Sequence, residues 1–192
     1  MLQPNKILVI RFSSLGDLIL TSPIFRELRR IFPGANLNLL TSVGFGDVLD
    51  NNPHLDRIIK HPRKENFEQL KQLIEELQAE EFDLIYDAHR SMRSRWIVSR
   101  LTAFGMKRKP AVWKINKRTL NRKLLIHLGW NRLQQGLSQR EQWLLPLKQH
   151  APHGLDASTE LFPDQEDTNL IETLMSEHNL LPSGFIAIGP SA

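Results

Sequence analysis

With 192 residues, 41% of them hydrophobic and 24% charged, the chain has enough apolar content to build the core of one ordinary α/β domain. That excludes a disordered polyelectrolyte, and no tract approaches the ~18 apolar residues that cross a bilayer. It has no cysteine, which excludes disulfides and thiolate metal sites and fits a reducing compartment. The formal charge of +4 hides a local imbalance: residues 88–140 hold no Asp or Glu and 14 of the 25 Lys and Arg. A solvated basic face ordinarily interleaves acids, so this field points to a polyanionic partner.

Residues 6–11 read as the first strand, with Ile7, Leu8, Val9 and Ile10 forming the continuous apolar run of a strand covered on both faces. The run is short and leads at once to Arg11, unlike a secretory leader, so a cytoplasmic location is the expectation. The chain then turns polar. Ser13 and Ser14 can hydrogen-bond locally in a turn, Gly16 allows backbone geometry or close approach that a Cβ would obstruct, and Asp17 opens a helically spaced segment. At the carboxyl edge of an open α/β sheet such an aspartate faces a crevice; equally, it can be a first-turn acid serving only the helix dipole.

A helix through Ile24, Leu28 and Ile31 stops at Pro33-Gly34, starting either with Ser22 as cap and Pro23 at its first position or, kinked, near Asp17. Residues 37–41 read as a second strand, followed by a Gly44-Phe-Gly46 loop and a short helix to about residue 51. Residues 57–60 read as a third strand, 67–78 as a helix, 84–86 as a strand, 92–101 as a helix and 110–113 as a strand. Helices are expected over 119–128, 138–147 and 167–180, and residues 185–188 read as one more buried strand. Pro152, Gly154 and Pro163 mark 150–163 as a linker. The alternation predicts an α/β, doubly wound parallel sheet. A strand followed by a turn at 189–192 leads us to expect a fragment cut just inside a second α/β domain.

Three segments together resemble the lipopolysaccharide heptosyltransferase family, inverting two-domain glycosyltransferases of the GT-B fold. They are KILVIRFSSLGDLILTSPIFRELRRIFPGANLNLLT at 6–41, FDLIYDAHRSMRS at 82–94 and FIAIGPSA at 185–192. The resemblance implies the N-terminal half of a GT-B fold. Residues 1–150 would be the acceptor-side Rossmann-like domain, 151–166 a linker, and 167–192 the start of a truncated nucleotide-sugar-binding domain. Asp17 matches the family's general base, which takes a proton from an acceptor hydroxyl as it attacks the donor's anomeric carbon, with inversion. Ser13, Ser14 and Gly16 would shape the loop around the sugars. The donor would be ADP-heptose and no metal or other cofactor is implied, so cations and backbone N–H groups must meet the diphosphate. The acceptor would be a phosphorylated, Kdo-bearing lipid A type molecule at the cytoplasmic face of the inner membrane, met by the basic residues Lys114, Lys117, Arg118 and Arg122.

His89 could hydrogen-bond an acceptor or pair with Asp87, which itself could only fix its loop. Arg90 and Arg93 could bind acceptor phosphate or be solvated helix residues; Arg90 stands where the family often has a small residue. Trp96, Trp113, Trp130 and Trp143 read as core or anchoring residues, and the pair His150 and His153 lacks further ligands for a metal. No dinucleotide fingerprint or Walker motif occurs. Two other readings remain: a nucleic-acid-binding α/β module, favoured by the acid-free basic tract with interleaved Trp, and a non-catalytic scaffold with the GT-B-like fold.

Overall fold

Five short strands form one all-parallel sheet: β1 (Lys6–Ile10), β2 (Asn36–Ser42), β3 (Arg57–His61), β4 (Leu84–Asp87) and β5 (Ala111–Lys114), in the order β3-β2-β1-β4-β5. The computed structural model describes residues 3–103, 109–116, 126–130, 136–181 and 184. They fall into two compact units, Met1–Leu161 and Phe162–Ala192. The helices of the first unit are α1 (Leu15–Ile19), α2 (Ser22–Ile31), α3 (Phe67–Ala79), α4 (Met92–Leu101) and α5 (Gln139–Leu144), with 3₁₀ turns at Gly46–Leu49 and Leu145–His150.

Strand alternation explains the unbroken apolar runs. Ile7 and Val9, with Leu37, Leu39, Leu84 and Tyr86, face α1, α2 and α5 through Leu18, Ile24, Phe25, Leu28, Trp143 and Leu144. Leu8 and Ile10, with Leu40 and Ile85, face α3 and α4 through Leu73, Ile74, Leu77, Ile97 and Leu101. Each such fully buried side chain contributes about 1.5–3 kcal/mol, so both layers are needed. β1 lies between β2 and β4, with Ile10 opposite Leu40 on one side and Asp87 on the other. The chain reverses its direction of travel across the sheet here, and the crevice beyond the carboxyl ends of β1 and β4 is the usual ligand position in such sheets.

Several expected boundaries move for identifiable reasons. The segment after Asp17 meets each expected helix start only in part: α1 closes at Ile19, Thr21 Oγ1 donates to the Asp17 carbonyl at 2.7 Å, and a separate helix α2 begins with Thr21, not Ser22, as its N-cap and Pro23 in its first turn. Ser22 is therefore inside α2, and its buried hydroxyl accepts the Glu160 N–H at 2.9 Å instead of capping. The helix expected over 138–147 is α-helical only to Leu144 and continues as a 3₁₀ turn, because Pro146 has no N–H to donate. Asn66 with Gln69, Ser91 with Ser94 and Ser138 with Glu141 form the capping boxes of α3, α4 and α5. Of the helix expected over 119–128, residues 119–125 lie outside the described residues, as does the strand expected at 185–188.

Residues 151–161 contain neither helix nor strand but are fastened to α2. Arg26 donates to the Asp156 carbonyl at 2.8 Å and pairs with Glu160 at 2.6 Å, while Leu155 and Ala157 pack against the core. In the second unit, α6 (Gln165–Glu177) is capped by Asp164, whose carboxylate accepts the Asp167 N–H at 2.7 Å. No helix among the described residues is long and apolar enough to cross a membrane.

Candidate functional site

The carboxyl edge of β1 and β4 gathers most of the residues singled out in the sequence. After Ile10 the chain runs through Arg11 and Phe12 to the turn of Ser13 and Ser14, and Ser14 becomes the N-cap of α1 without a side-chain capping bond. Asp17 sits in the first turn of α1, with about a third of its side chain exposed at 36%. Its carboxylate does not cap the helix. It meets Arg11, whose Nη2 lies 2.5 Å from Asp17 Oδ2.

Arg11 is the residue that sequence reading missed. It is 3% exposed, donates from Nη1 to the Ala88 carbonyl at 2.6 Å, and lays its guanidinium 4.6 Å from the centre of the Trp143 ring. Burial pulls its pKa below the ordinary arginine value, while contact with Asp17 and the field of Asp87 push it back up. An arginine remains cationic under such opposition. One buried guanidinium therefore links the β1 loop, the β4 loop and α5, and fixes where the Asp17 carboxylate points. The only sequence signal was a cation with no spacer after a buried strand.

The β4 loop is organised by Asp87. Its Oδ1 accepts the N–H groups of His89 at 3.1 Å and Arg90 at 2.7 Å, and its Oδ2 accepts the Ser94 hydroxyl at 3.1 Å. These bonds hold Arg90 at φ +51°, a left-handed conformation uncommon outside glycine, which gives a physical reason for a small residue at this place. The Arg90 guanidinium turns to β5 and donates to the Ile115 carbonyl at 3.1 Å. His89 stands edge-on to Phe12 with ring centres 5.6 Å apart. The Arg93 guanidinium lies over the Phe12 ring, 4.0 Å from its centre, and grips Glu65, with Nε at 2.6 Å and Nη2 at 2.8 Å, while also reaching the Pro62 carbonyl. Burial lowers the Arg93 pKa against the raising effect of Glu65. His61 joins the same Glu65 carboxylate.

Gly16 differs from the reason expected for it. Its φ is not in the left-handed region, and a Cβ there would meet nothing within 4 Å. Nothing within the described chain demands a glycine, and the space above it is open to a ligand. The loop after β2 has the opposite property: at Gly46 a Cβ would lie 2.9 Å from Lys60 and 3.0 Å from Thr41. Lys114 ends β5, exposed and in register with Asp87. Lys117, Arg118 and Arg122 lie outside the described residues. Among the described tryptophans, Trp143 is core, Trp113 stacks on His150, Trp96 packs with Phe67 beneath Arg100, and Trp130 is exposed. No group of three or more His, Asp or Glu side chains suited to a metal occurs among the described residues.

The five-stranded parallel sheet flanked by helices defines the class: an α/β, Rossmann-like fold of the kind that forms one half of the GT-B architecture. The solved family 9 glycosyl transferase from Veillonella parvula superposes with a TM-score of 0.69 at 18% identity, over 95% of this chain and 51% of that one. In sequence the chain is heptosyltransferase-like. Lipopolysaccharide heptosyltransferase 1 of Escherichia coli K12 is 29% identical over 111 residues, 53% of this chain and 34% of that protein. The solved Escherichia coli heptosyltransferase WaaC with ADP-2-deoxy-2-fluoro heptose matches with a TM-score of 0.54 at 22% identity, over 81% of this chain and 50% of that one. No family model matches the chain. The chain thus spans about half the length of the solved relatives it matches.

Proposed function

We propose that the complete gene product is an inverting glycosyltransferase that moves heptose from ADP-heptose to the lipopolysaccharide inner core, and that the first unit is its acceptor side. The observation that carries this is the asymmetry of the Arg11–Asp17 pair: the cation is buried while the carboxylate, just past the carboxyl end of β1, is about a third exposed. In the proposed reaction Asp17 accepts the proton of an acceptor hydroxyl, the oxygen forms a bond to the anomeric carbon, and the carbon–oxygen bond to ADP breaks with its electron pair leaving on the diphosphate. A single displacement inverts the centre. Ser13, Ser14 and the open face of Gly16 line the approach, with His89 beside them. Sequence similarity to a heptosyltransferase and a solved neighbour holding an ADP-heptose analogue support the choice of donor.

The acceptor is proposed to be a phosphorylated Kdo-bearing lipid reached at the cytoplasmic face of the inner membrane, with Lys114 and the sequence positions Lys117, Arg118 and Arg122 attracting its anionic groups. The test is ADP release by the complete gene product from ADP-heptose and a Kdo-bearing lipid acceptor. Acceptor-dependent release with inverted anomeric configuration is expected. Failure to turn over, combined with single-stranded DNA bound as tightly as the Kdo lipid at equal charge density and near-physiological salt, would replace this reading with a nucleic-acid module.

A further inference from the structure

A cavity of about 480 Å³ lies at the opposite edge of the sheet and shares no residue with the Arg11–Asp17 cluster. Its volume is within the range of small-molecule sites. It is bounded by Gln3 just ahead of β1, by the last turn of α2, and by Lys148–Gly154. Its walls include Ile31, Phe32, Ala151 and Pro152. One side is stiffened by aromatic stacking, since His150 lies flat on Trp113 with ring centres 4.6 Å apart and Phe32 packs on the same Trp113 at 6.1 Å.

The charge in the lining is one-sided. Glu27 is the single acid among the described lining residues; it is 1% exposed, and its Oε1 takes Arg30 at 2.9 Å and Arg26 at 3.5 Å. Its charge is met inside the protein. Arg30, Lys148 and His153 stand exposed around the mouth, and Lys148 enters no ion pair among the described residues. Apolar walls favour a body without charge, and a cationic mouth with no unspent acid favours an anionic group at the entrance.

We propose that this cavity binds a small organic anion with an apolar, ring-sized body seated against Phe32 and Pro152 and a phosphate or carboxylate held by Lys148, Arg30 and His153. It is a site separate from sugar transfer and does not depend on that reading. The chain is titrated with phenyl phosphate and with benzoate, and in parallel with inorganic phosphate, acetate and phenol, following backbone amide chemical shifts. The proposal expects at least one ring-bearing anion to shift residues 148–154 and Phe32 with an affinity at least about tenfold above its own head group and above phenol. Replacing Lys148→Gln together with His153→Gln, both exposed, should weaken that affinity about tenfold while leaving the melting temperature and the shifts of the Asp17 loop unchanged. Equal affinity for the bare head groups, shifts scattered over other basic residues, or indifference to the double substitution would overturn it.

Discussion

Arg11 and Asp17 form an ion pair whose two ends live in different media: the guanidinium is sealed beneath Trp143 and the carboxylate reaches solvent. The two deletions are therefore unequal. Arg11→Met leaves a carboxylate that water can solvate, whereas Asp17→Ala leaves a buried cation without its anion. The double variant Arg11→Met/Asp17→Ala should be more stable than Asp17→Ala alone, by about 1 kcal/mol or more, in urea unfolding. A double variant that is less stable than the single one would mean that Arg11 does not depend on Asp17.

Asp17→Asn keeps the shape and an acceptor for Arg11 but removes the proton acceptor. In the complete gene product turnover should fall by ~10²–10⁴-fold with ADP affinity near that of the parent. Retention of more than about a tenth of turnover would return Asp17 to a structural role.

Asp87 holds two backbone N–H groups and a hydroxyl with one carboxylate. Asp87→Ala should cost about 2–4 kcal/mol in unfolding free energy, since bonds to a buried charged acceptor are each stronger than neutral ones. Hydrogen exchange localises the effect: the Arg90 amide, held at φ +51° by this bond, should exchange far faster while β1 amides change in step with global stability only.

Asp56 is one carboxylate through which acid should weaken the fold. Burial alone would raise its carboxyl, but the Leu37 N–H at 2.6 Å and Arg29 at 2.6 Å outweigh burial and hold its pKa below the ordinary value. A depressed native pKa gives stability that is complete above the unfolded value of about 3.9 and is lost as pH falls through the native one. Asp56→Asn should therefore lower the melting temperature at pH 7 and narrow its gap to the parent below about pH 4. A gap that is constant from pH 7 to pH 2 would remove Asp56 from the acid response.

The sheet was readable because strands buried on both faces declare themselves as unbroken apolar runs; β1 to β4 stand within two residues of their expected ends. Helix ends were less so, since Pro146 converts a helix to a 3₁₀ turn only through a missing donor that periodicity does not register. In the candidate site, Asp17 could be placed from the strand-turn-helix pattern, but its partner could not. Arg11 follows a strand and would ordinarily point to water; it is internal because Trp143, Ala88 and Asp17 converge on it from three elements, a coincidence absent from any local window. Residues 151–161 look like a linker by composition, and nothing local shows that Asp156 and Glu160 find Arg26 on α2.

The Arg11 bond to Ala88 closes a loop of 77 residues, and the Trp143 contact requires a still later part of the chain. Closing a loop of this length costs more chain entropy than pairing β1 with β2, where Lys6 lies opposite Asn36. On a ribosome, the Asp17 loop would emerge first and acquire its brace only after β4 and α5 have followed. The orientation of the carboxylate is thus a late checkpoint of assembly: a chain whose second half of the sheet has not docked carries the motif in its sequence but not the site.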